Sequence, residues 1–513
     1  MTEDRNVARE AERALDRLGD FEQTFYEGRW YRYAAQADRA ARLGAALVEL
    51  GAKPGDRVAV MLENSPDVSV VYTAILRAGA AIIPVIFLLT AEELRRVITS
   101  SEASAIITAP AFLDRVKVAS EGVDSVRFIV CTGEPQEGTH SLDALADHPR
   151  GAIVDRGNDD LALLLYTGGT TGRSKGVALS HSSVWRAGWA AHELRQPDIV
   201  RGIACLPLSH SYGVLGLASG LHATTPFKSV LMKWFEPRPW LQLAQDHQVQ
   251  AGAVVPSMIY MLLQQPLEDY DLSNLRLIGS GAAPLTAEAR EELKRRLPQI
   301  RVGEGYGLTE TCGSATSMRY DSIKPGTVGQ PVPGCEIKIC SDSGAELPVG
   351  ETGEICIRSG SVMLGYWNDP EQTKLALRDG WLLTGDIGRM DAEGFVTIVD
   401  RKKDIIIRGG FNVYPRDVEE ALVKHPDVAS AGVIGRPDPI HGEEVVAFIA
   451  LQPGASATGE EIVAWARERL GGYKYPREVH VLPALPLTAV GKLDRKQLRA
   501  HLVAVEGAAV KPK

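Results

Sequence analysis

The sequence has few cysteines, and none of them are arranged as a metal site would require. There are six cysteines among 513 residues, and no two of them form a C-x-x-C pair. Scattered thiols of this kind are typical of structural cysteines in a reducing compartment. We therefore expect free thiols, no metal cluster and a cytoplasmic protein.

Long hydrophobic runs and an excess of basic charge are also missing. The longest apolar run, residues 78–89, has twelve residues and contains Pro84, whereas a membrane-spanning helix needs about 20. The first twenty residues are charged and lack the apolar core of a signal peptide. The net charge of −9 argues against general nucleic-acid binding, which favours a basic surface.

What the chain does have is the pattern of a large α/β protein. A length of 513 residues predicts at least two domains. Helical spacing over residues 34–50, a strand over 57–62, a capping box at 90–93 and a strand over 105–108 predict parallel sheets covered by helices. A turn at residues 391–394 and the charged segment 400–404 then change this pattern. We place a domain boundary there, which gives domains 1–400 and 401–513.

The most informative stretch is the run from Tyr166 to Val177, which follows an apolar strand. It contains four glycines, three threonines and one lysine. Glycines let backbone N–H groups close around an oxyanion, while hydroxyls and an ammonium supply further donors. The pattern predicts a loop for a nucleotide triphosphate, with contacts from Thr167, Gly168, Gly169, Thr170, Thr171, Gly172 and Lys175. A P-loop is excluded, because Ser174 and Gly176 stand where that motif needs glycine and serine or threonine.

A second candidate segment is residues 303–311, which also follows a probable strand. Tyr306 could stack on an adenine, Thr309 could donate to a phosphate, and Glu310 is the type of hard oxygen ligand that Mg²⁺ prefers. Taken alone, the segment could equally be a turn followed by a solvated carboxylate.

These segments resemble motifs of the adenylate-forming superfamily, which comprises acyl- and aryl-CoA ligases, adenylation domains and luciferases. The loop is similar to Y-T-S-G-T-T-G-x-P-K-G-V but differs at Gly168 and Ser174. Further resemblances are Y-G-x-T-E at 306–310, T-G-D at 384–386 and P-x-T-x-x-G-K at 486–492. The resemblance covers essentially the whole chain. It implies a large N-terminal domain of helix-covered sheets and a small mobile α+β C-terminal domain, joined by a hinge at about 400–404.

The resemblance also implies roles for individual residues. Asp386 and Arg401 would bind the ribose, Lys403 would lie at the hinge, Lys492 would be the adenylation lysine, and Gly410 would lie beside the pantetheine of coenzyme A. Two segments would line the adenine. The first consists of Gly281, Ala282 and Ala283, and the second of Glu304, Gly305, Tyr306 and Gly307. Gly281 would also face the acyl group. Lys492, Glu310, Thr309, Thr167 and His210 would be the catalytic residues.

The implied reaction has two steps. A carboxylate attacks the α-phosphorus of ATP and gives acyl-AMP and pyrophosphate, with Mg²⁺ near Glu310. A thiol then displaces AMP. Free coenzyme A is the expected thiol, because no carrier domain is recognisable after Asp494. Candidate contacts for its 3′-phosphate are Arg408, Arg416, Lys474 and Arg477. Alternatives are an acyl-AMP ligase that loads a separate carrier protein, a luciferase-like oxidase and a non-catalytic nucleotide binder.

The substrate is predicted from residues 201–235, where no acidic residue occurs. Relatives that activate amino acids have an Asp for the α-ammonium group at the position of Ser211, so α-amino acids are not expected. The segment is otherwise apolar, and Gly213 and Gly216 leave room for a chain or ring. Substrate contacts are assigned to His210, Ser211, Tyr212, Gly213 and Gly281. His210 could either gate the carboxylate site or be structural, and His181 is assigned to structure.

Overall fold

The computed structural model describes residues 3–167, 175–283, 285–488 and 493–509. The chain divides into two compact units. Unit 1 comprises Met1–Ile337 and Ile357–Leu382, and unit 2 comprises Lys338–Cys356 and Leu383–Lys513. Unit 2 therefore includes residues 383–400, which the sequence-based division placed in the N-terminal domain. The functional hinge at 400–404 stays a prediction.

Fifteen α-helices and four short 3₁₀ segments occur in the described residues. The helices are α1 Val7–Leu18, α2 Tyr33–Glu49, α3 Pro66–Arg77, α4 Ala91–Ser101, α5 Leu113–Ser120, α6 Leu142–Leu145, α7 His181–Glu193, α8 Ser211–Leu221, α9 Pro237–Asp246, α10 Pro256–Leu263, α11 Ala287–Arg296, α12 Pro370–Ala376, α13 Pro415–Leu422, α14 Gly459–Arg469 and α15 Arg495–Ala509. The 3₁₀ segments are Pro110–Phe112, Leu267–Asp269, Thr309–Thr311 and Lys402–Asp404. In these residues no helix has both the length and the apolar character needed to cross a membrane.

The strands are numbered in chain order. They are β1 Glu22–Tyr26, β2 Arg29–Arg32, β3 Arg57–Met61, β4 Ala81–Pro84, β5 Ala105–Thr108, β6 Phe128–Cys131, β7 His140–Ser141, β8 Leu161–Thr167, β9 Lys175–Ser180, β10 Arg201–Ala204, β11 Lys228–Leu231, β12 Ala251–Val254, β13 Leu277–Ser280, β14 Arg301–Tyr306, β15 Thr316–Ser317, β16 Gln330–Pro331, β17 Cys335–Cys340, β18 Gly353–Ser359, β19 Gly365–Tyr366, β20 Leu377–Arg378, β21 Trp381–Met390, β22 Val396–Arg401, β23 Ile406–Arg408, β24 Phe411–Val413, β25 Val428–Asp438, β26 Gly442–Leu451 and β27 Glu478–Val481.

Unit 1 contains two large sheets. The first has nine strands in the order β16-β15-β14-β13-β12-β10-β11-β1-β2, and the neighbours from β14 through to β1 run parallel. The second has eight strands in the order β19-β9-β8-β4-β3-β5-β6-β7 and is parallel from β8 to β7, with β9 and β19 antiparallel at one edge. Strands buried on both faces are apolar almost throughout, and β3, β4 and β5 follow this rule.

The mixed sheet of unit 2 has helices on both faces. Its strands lie in the order β24-β23-β26-β25, and β27 pairs with β26. In β26, Val445, Ala447 and Ile449 face the core formed with α13 and α14, whereas Val446 and Phe448 face α15. This alternation follows from the two-residue period of a strand.

The α/β class expected from the sequence is confirmed, and several local predictions are close to the observed elements. The capping box of α4 forms, since the Thr90 side chain accepts from the Glu93 N–H and the Glu93 carboxylate accepts from the Thr90 N–H. The strand predicted over 105–108 has these bounds, and the helix predicted over 34–50 runs from Tyr33 to Glu49. All six cysteines are free thiols.

Helix α1 is anchored by residues that lie far away in the sequence. The Arg5 N–H donates to the Asn158 side chain at 2.8 Å, and the Val7 N–H donates to Nδ1 of His181 at 3.2 Å. The indole of Trp185 donates to the Glu10 carboxylate at 3.1 Å. His181 is buried and its role is structural, as the sequence predicted. Burial, together with the positive charge of Arg156, lowers the pKa of His181 to about 4.

A histidine that is held neutral by burial makes folding sensitive to acid. Between pH 6.5 and about 4 the unfolded chain binds a proton at His181 that the folded protein excludes, so stability falls as the pH falls through this window. The shift corresponds to about 3 kcal/mol. In urea unfolding followed by tryptophan fluorescence, His181→Gln should lose less stability than the wild type between pH 6.5 and 4.

The control for this prediction is His148, whose pKa is raised by its hydrogen bond to Glu49. The raised pKa has the opposite linkage, with stability present at low pH and lost as the pH rises. His148→Gln should therefore not reduce the acid sensitivity. Equal acid sensitivity in the wild type and His181→Gln would show that His181 is not the titrating group.

Candidate nucleotide and acyl site

Three of the predicted segments follow strands that end at the same edge of the nine-stranded sheet. Strands β10, β13 and β14 end at Ala204, Ser280 and Tyr306, and β12 completes the parallel set between them. Because parallel strands have their carboxyl ends at one edge, the segments around His210, Gly281 and Glu310 all start there. Crevices at the carboxyl ends of such strands are the usual ligand sites of α/β sheets.

The segment after β13 is unusual in its backbone. Ala282 has a φ of +70°, which is rare for a residue with a side chain. A Cβ on Gly281 would lie 3.5 Å from the Gly305 carbonyl oxygen, so the two predicted adenine-lining segments run side by side. Outliers of this kind tend to occur at functional sites, which is consistent with the assignment of Gly281, Ala282 and Ala283.

The turn after β14 depends on a close approach of backbone. A Cβ on Gly307 would lie 2.4 Å from the Gly313 carbonyl carbon, so this position has no room for a side chain. The chain then forms the 3₁₀ turn Thr309–Thr311. The Met363 N–H donates to the Glu310 carbonyl oxygen at 2.8 Å. The backbone of Glu310 is thereby fixed from two sides.

The Glu310 carboxylate and the Lys175 ammonium both contact Tyr366 and, within the described residues, form no ion pair with each other. Oε1 of Glu310 accepts from the Tyr366 hydroxyl at 2.8 Å. The ammonium of Lys175 lies 4.7 Å from the centre of the Tyr366 ring and donates to Oε1 of Gln372 at 2.7 Å. Burial, and then the negative charge of Glu310, raise the pKa of Tyr366, so its hydroxyl remains protonated as a donor. A carboxylate and an ammonium held in this way fit the expected chemistry of Mg²⁺ and phosphates.

Glu304, which the sequence assigns to the cofactor site, also has partners within the fold. Its buried carboxylate forms an ion pair with Arg290 and accepts from the Leu285 N–H at 3.4 Å. Arg290 also donates to the Val302 carbonyl oxygen at 3.0 Å. The side chain of Glu304 therefore ties α11 to β14.

The predicted acyl segment begins helix α8. Nδ1 of His210 accepts from the Tyr212 N–H at 3.3 Å and caps the helix, so the structural alternative for His210 has a defined contact. The Tyr212 hydroxyl lies 3.7 Å from the position of a Cβ on Gly279. Burial raises the pKa of the Tyr212 hydroxyl, although Tyr212 as a whole is 40% exposed. Ser211 is buried.

Gly213 requires a correction. A Cβ at this position would lie 2.4 Å from the Pro207 carbonyl oxygen and 2.5 Å from the Cα of Leu208. Gly213 therefore allows α8 to pack against the preceding loop and does not provide space for an acyl group. Gly216 is exposed, and a Cβ there would have no atom within 4 Å. It lies four residues after Tyr212, on the same face of α8.

The residues predicted to bind ribose lie together in unit 2. Asp386 is buried and is paired across β21 and β22 with Arg401, with 3.3 Å between Oδ1 and Nε. Burial, and then the charge of Arg401, lower the pKa of the adjacent Lys403. The Asp400 carboxylate accepts from the N–H groups of Arg401 and Arg416, at 2.7 and 2.8 Å, and so connects the predicted hinge to α13.

Gly410 lies in a tight hairpin between β23 and β24. Gly409 and Gly410 have φ values of +58° and +81°, as a two-residue hairpin turn requires, and a Cβ on Gly410 would meet open space.

The four candidate 3′-phosphate contacts all have partners within unit 2. Arg408 pairs with Glu444, Arg416 with Glu420 and Lys474 with Asp417, while Arg477 donates to two carbonyl oxygens.

Two predicted groups of residues lie outside the described part of the chain. These are the loop residues Gly168, Gly169, Thr170, Thr171 and Gly172, and the adenylation lysine Lys492. The residues next to them are described. The Thr167 hydroxyl donates to the Lys175 carbonyl oxygen at 3.5 Å, and Leu493 forms a β-bridge with Leu487.

Sequence reasoning missed Tyr366 and Gln372. Both lie about 200 residues after Lys175 in the sequence. The pairing of β19 with β9 brings Tyr366 near Lys175, and Gln372 accepts a hydrogen bond from the Lys175 ammonium. No local pattern indicates such a contact. The only signal was the Gly-Tyr-Trp run at 365–367 followed by Asp369 and Pro370, which predicts a strand end and a helix start.

Comparisons with known proteins identify the family to which the chain belongs. The chain matches the AMP-binding enzyme family over residues 11–367 and its C-terminal domain over 417–492. It is 35% identical over 495 residues to a long-chain-fatty-acid–CoA ligase of Bacillus subtilis (strain 168), covering 90% of this chain and 88% of the relative. It is 35% identical over 475 residues to a feruloyl-CoA synthase of Amycolatopsis sp, covering 91% of this chain and 93% of the relative.

A solved structure shows the same fold. ATP-bound MatB from Rhodopseudomonas palustris superimposes with a TM-score of 0.89 at 33% identity, covering 98% of this chain and 100% of that one. The chain therefore belongs to the AMP-binding enzyme family. The acid–thiol ligase class expected from the sequence, an AMP-forming acyl-CoA synthetase, is confirmed.

The buried ion pair between Arg290 and Glu304 yields a stability prediction. Arg290→Ala would leave a buried carboxylate without its cation, which costs about 3–5 kcal/mol. In chemical unfolding, Arg290→Ala should lose stability in this range, and Arg290→Ala with Glu304→Gln should recover part of the loss. Arg295→Ala, on the same helix and paired with Glu292 on the surface, is the matched control and should change little. Similar losses for both single variants would contradict this role of the buried pair.

Proposed function

We propose that the enzyme activates an apolar fatty, alicyclic or aromatic acid as acyl-AMP and transfers the acyl group to coenzyme A. The observation that carries this proposal is the face of α8 formed by Tyr212 and Gly216. It is exposed, and no acidic residue lies between Arg201 and Phe235 to bind an ammonium group. The names of the two relatives, a long-chain-fatty-acid–CoA ligase and a feruloyl-CoA synthase, support an apolar chain or ring.

In the first step, a carboxylate oxygen of the acid attacks the α-phosphorus of ATP. An oxygen–phosphorus bond forms, and the bond to the leaving pyrophosphate breaks. Lys175, the loop at 167–175 and Lys492 would offset negative charge on the phosphates. Glu310 would hold Mg²⁺, which supplies further positive charge when bound. Asp386 and Arg401 would orient the ribose, and Tyr306 would stack on the adenine.

In the second step, the thiol sulfur of coenzyme A attacks the carbonyl carbon of the acyl-AMP. A carbon–sulfur bond forms, the carbon–oxygen bond to AMP breaks, and the thiol proton is released to solvent. We propose that the segment 401–513 rotates about the hinge at 400–404 between the steps, which withdraws Lys492 and brings Gly410 beside the pantetheine. The open space around Gly410 is compatible with a thiol channel. A carrier-protein thiol is the alternative acceptor.

Six free thiols suit a reducing compartment, so we place the reaction in the cytoplasm, within fatty acid metabolism.

The ribose assignment predicts a loss of ATP affinity in Asp386→Ala. The substitution removes charge-assisted hydrogen bonds, each worth about 1.5–3 kcal/mol. Calorimetry should therefore show at least about tenfold weaker ATP binding. Asp342→Ala is the control, because Asp342 is an exposed unit 2 carboxylate that pairs with Lys402 at 2.9 Å, and its loss should leave ATP binding unchanged. Equal ATP affinity in the wild type and Asp386→Ala would rule out the ribose role.

The substrate proposal is tested with a panel of acids and measurement of pyrophosphate release. Medium-chain or longer fatty acids, or aromatic and alicyclic acids, should be used in preference to acetate, dicarboxylates and amino acids. Gly216→Leu should shift the preference towards shorter acids by filling the exposed face of α8, and Gly216→Ala should have a smaller effect. Efficient turnover of malonate or of an amino acid, or an unchanged acid preference in Gly216→Leu, would refute the proposed pocket.

A further inference from the structure

Tyr366 stands between the two charged side chains that are predicted to act on the phosphates. Its hydroxyl donates to Oε1 of Glu310 at 2.8 Å, and its ring lies 4.7 Å from the ammonium of Lys175. Both contacts lie within unit 1. One neutral side chain therefore touches a carboxylate with its polar end and a cation with its aromatic face.

The position of Tyr366 is fixed by its neighbours. It pairs with Val177 where β19 meets β9, and its N–H donates to the Thr373 hydroxyl at 2.8 Å. The preceding Gly365 has a φ of +153°, and a Cβ there would lie 2.7 Å from Cγ2 of Thr373. The Trp367 N–H donates to the Gly176 carbonyl oxygen at 2.7 Å. Strand β9 thus carries Lys175 and also holds the segment that contains Tyr366.

Neither contact of Tyr366 brings an opposite charge to Glu310 or to Lys175. Within the described residues, Oε2 of Glu310 has no hydrogen bond or ion pair, and Lys175 has no carboxylate partner. Lys175 instead donates to the neutral amide of Gln372 at 2.7 Å. A direct ion pair between Lys175 and Glu310 would neutralise both groups, and breaking it would oppose the binding of a metal and phosphates.

We propose that Tyr366 is a positioning residue that orients Glu310 for Mg²⁺ and keeps Lys175 apart from Glu310 and available for phosphate. The inference rests on the proposed function, since it takes the magnesium role of Glu310 from there. Tyr366 takes no part in bond making or breaking. Its effect is to keep opposite charges close together without pairing, and this arrangement depends on its hydroxyl and its ring separately.

The two contacts can be separated by measuring ATP affinity by calorimetry, once with Mg²⁺ and once with EDTA. Tyr366→Phe removes the hydroxyl and keeps the ring. We expect the Mg²⁺-dependent gain in ATP affinity to fall about tenfold, while affinity in EDTA stays as in the wild type. A higher Mg²⁺ concentration should restore turnover of Tyr366→Phe. Tyr366→Leu also removes the ring and should weaken ATP binding in EDTA.

Tyr31→Phe is a matched control. The Tyr31 hydroxyl accepts from Nε of Arg29 at 2.7 Å, and its ring lies 4.4 Å from that guanidinium, at β2 on the opposite edge of the nine-stranded sheet from β14. Tyr31 also combines a hydroxyl hydrogen bond with a contact between its ring and a cation, and it has no predicted ligand, so loss of its hydroxyl should change neither affinity. If Tyr31→Phe matches the effect of Tyr366→Phe, the inference fails.

Glu310→Ala separates failure of the inference from failure of the proposed function. If Glu310→Ala keeps the Mg²⁺-dependent gain, the magnesium role of Glu310 is wrong. If Glu310→Ala loses the gain but Tyr366→Phe keeps it, only the positioning role of Tyr366 is overturned. Equal losses with Mg²⁺ and with EDTA in Tyr366→Phe would indicate a general structural role and would also overturn the inference.

Discussion

The common direction of neighbouring parallel strands is the constraint on which the site depends. Strands β10, β12, β13 and β14 must all finish at one edge of the nine-stranded sheet, and the loops that follow have no other place to start. This explains how segments separated by about 100 residues come to share a neighbourhood. It also explains why glycine is required at position 307, where the backbone of Gly307 approaches the backbone of Gly313 too closely for a side chain.

The contact between Glu310 and Tyr366 joins this edge to the eight-stranded sheet. Glu310 follows β14 of the first sheet, whereas Tyr366 lies in β19 of the second. This contact is a hydrogen bond between two side chains. The residue before Tyr366, Gly365, has no room for a side chain, because a Cβ there would collide with Thr373. The relative positions of Glu310 and Lys175 are therefore set by how two sheets of the same unit meet, and not by one loop alone.

The sequence predicted the fold class and the approximate bounds of several elements, because those depend on local patterns. Apolar periodicity located α2 and β5, and the spacing of threonine and glutamate located the start of α4. The failures have a common physical cause. The ion pair of Glu304 with Arg290, the packing of Gly213 on Pro207 and the contacts of Tyr366 depend on tertiary approach. A side chain that belongs to a motif can form contacts within the protein interior, and the sequence does not show these contacts.

The anchoring of α1 has a consequence for how the chain folds during synthesis. The partners of Arg5 and Val7 are Asn158 and His181, which the ribosome adds more than 150 residues later. Domains generally fold as units, and long-range contacts form only after their loop-closure entropy has been paid. The apolar side of α1, with Val7, Ala8 and Ala14, must therefore wait without its final partners while the intervening strands emerge. For this interval the nascent chain presents an amphipathic segment whose apolar side is exposed, which is the kind of surface that chaperones bind.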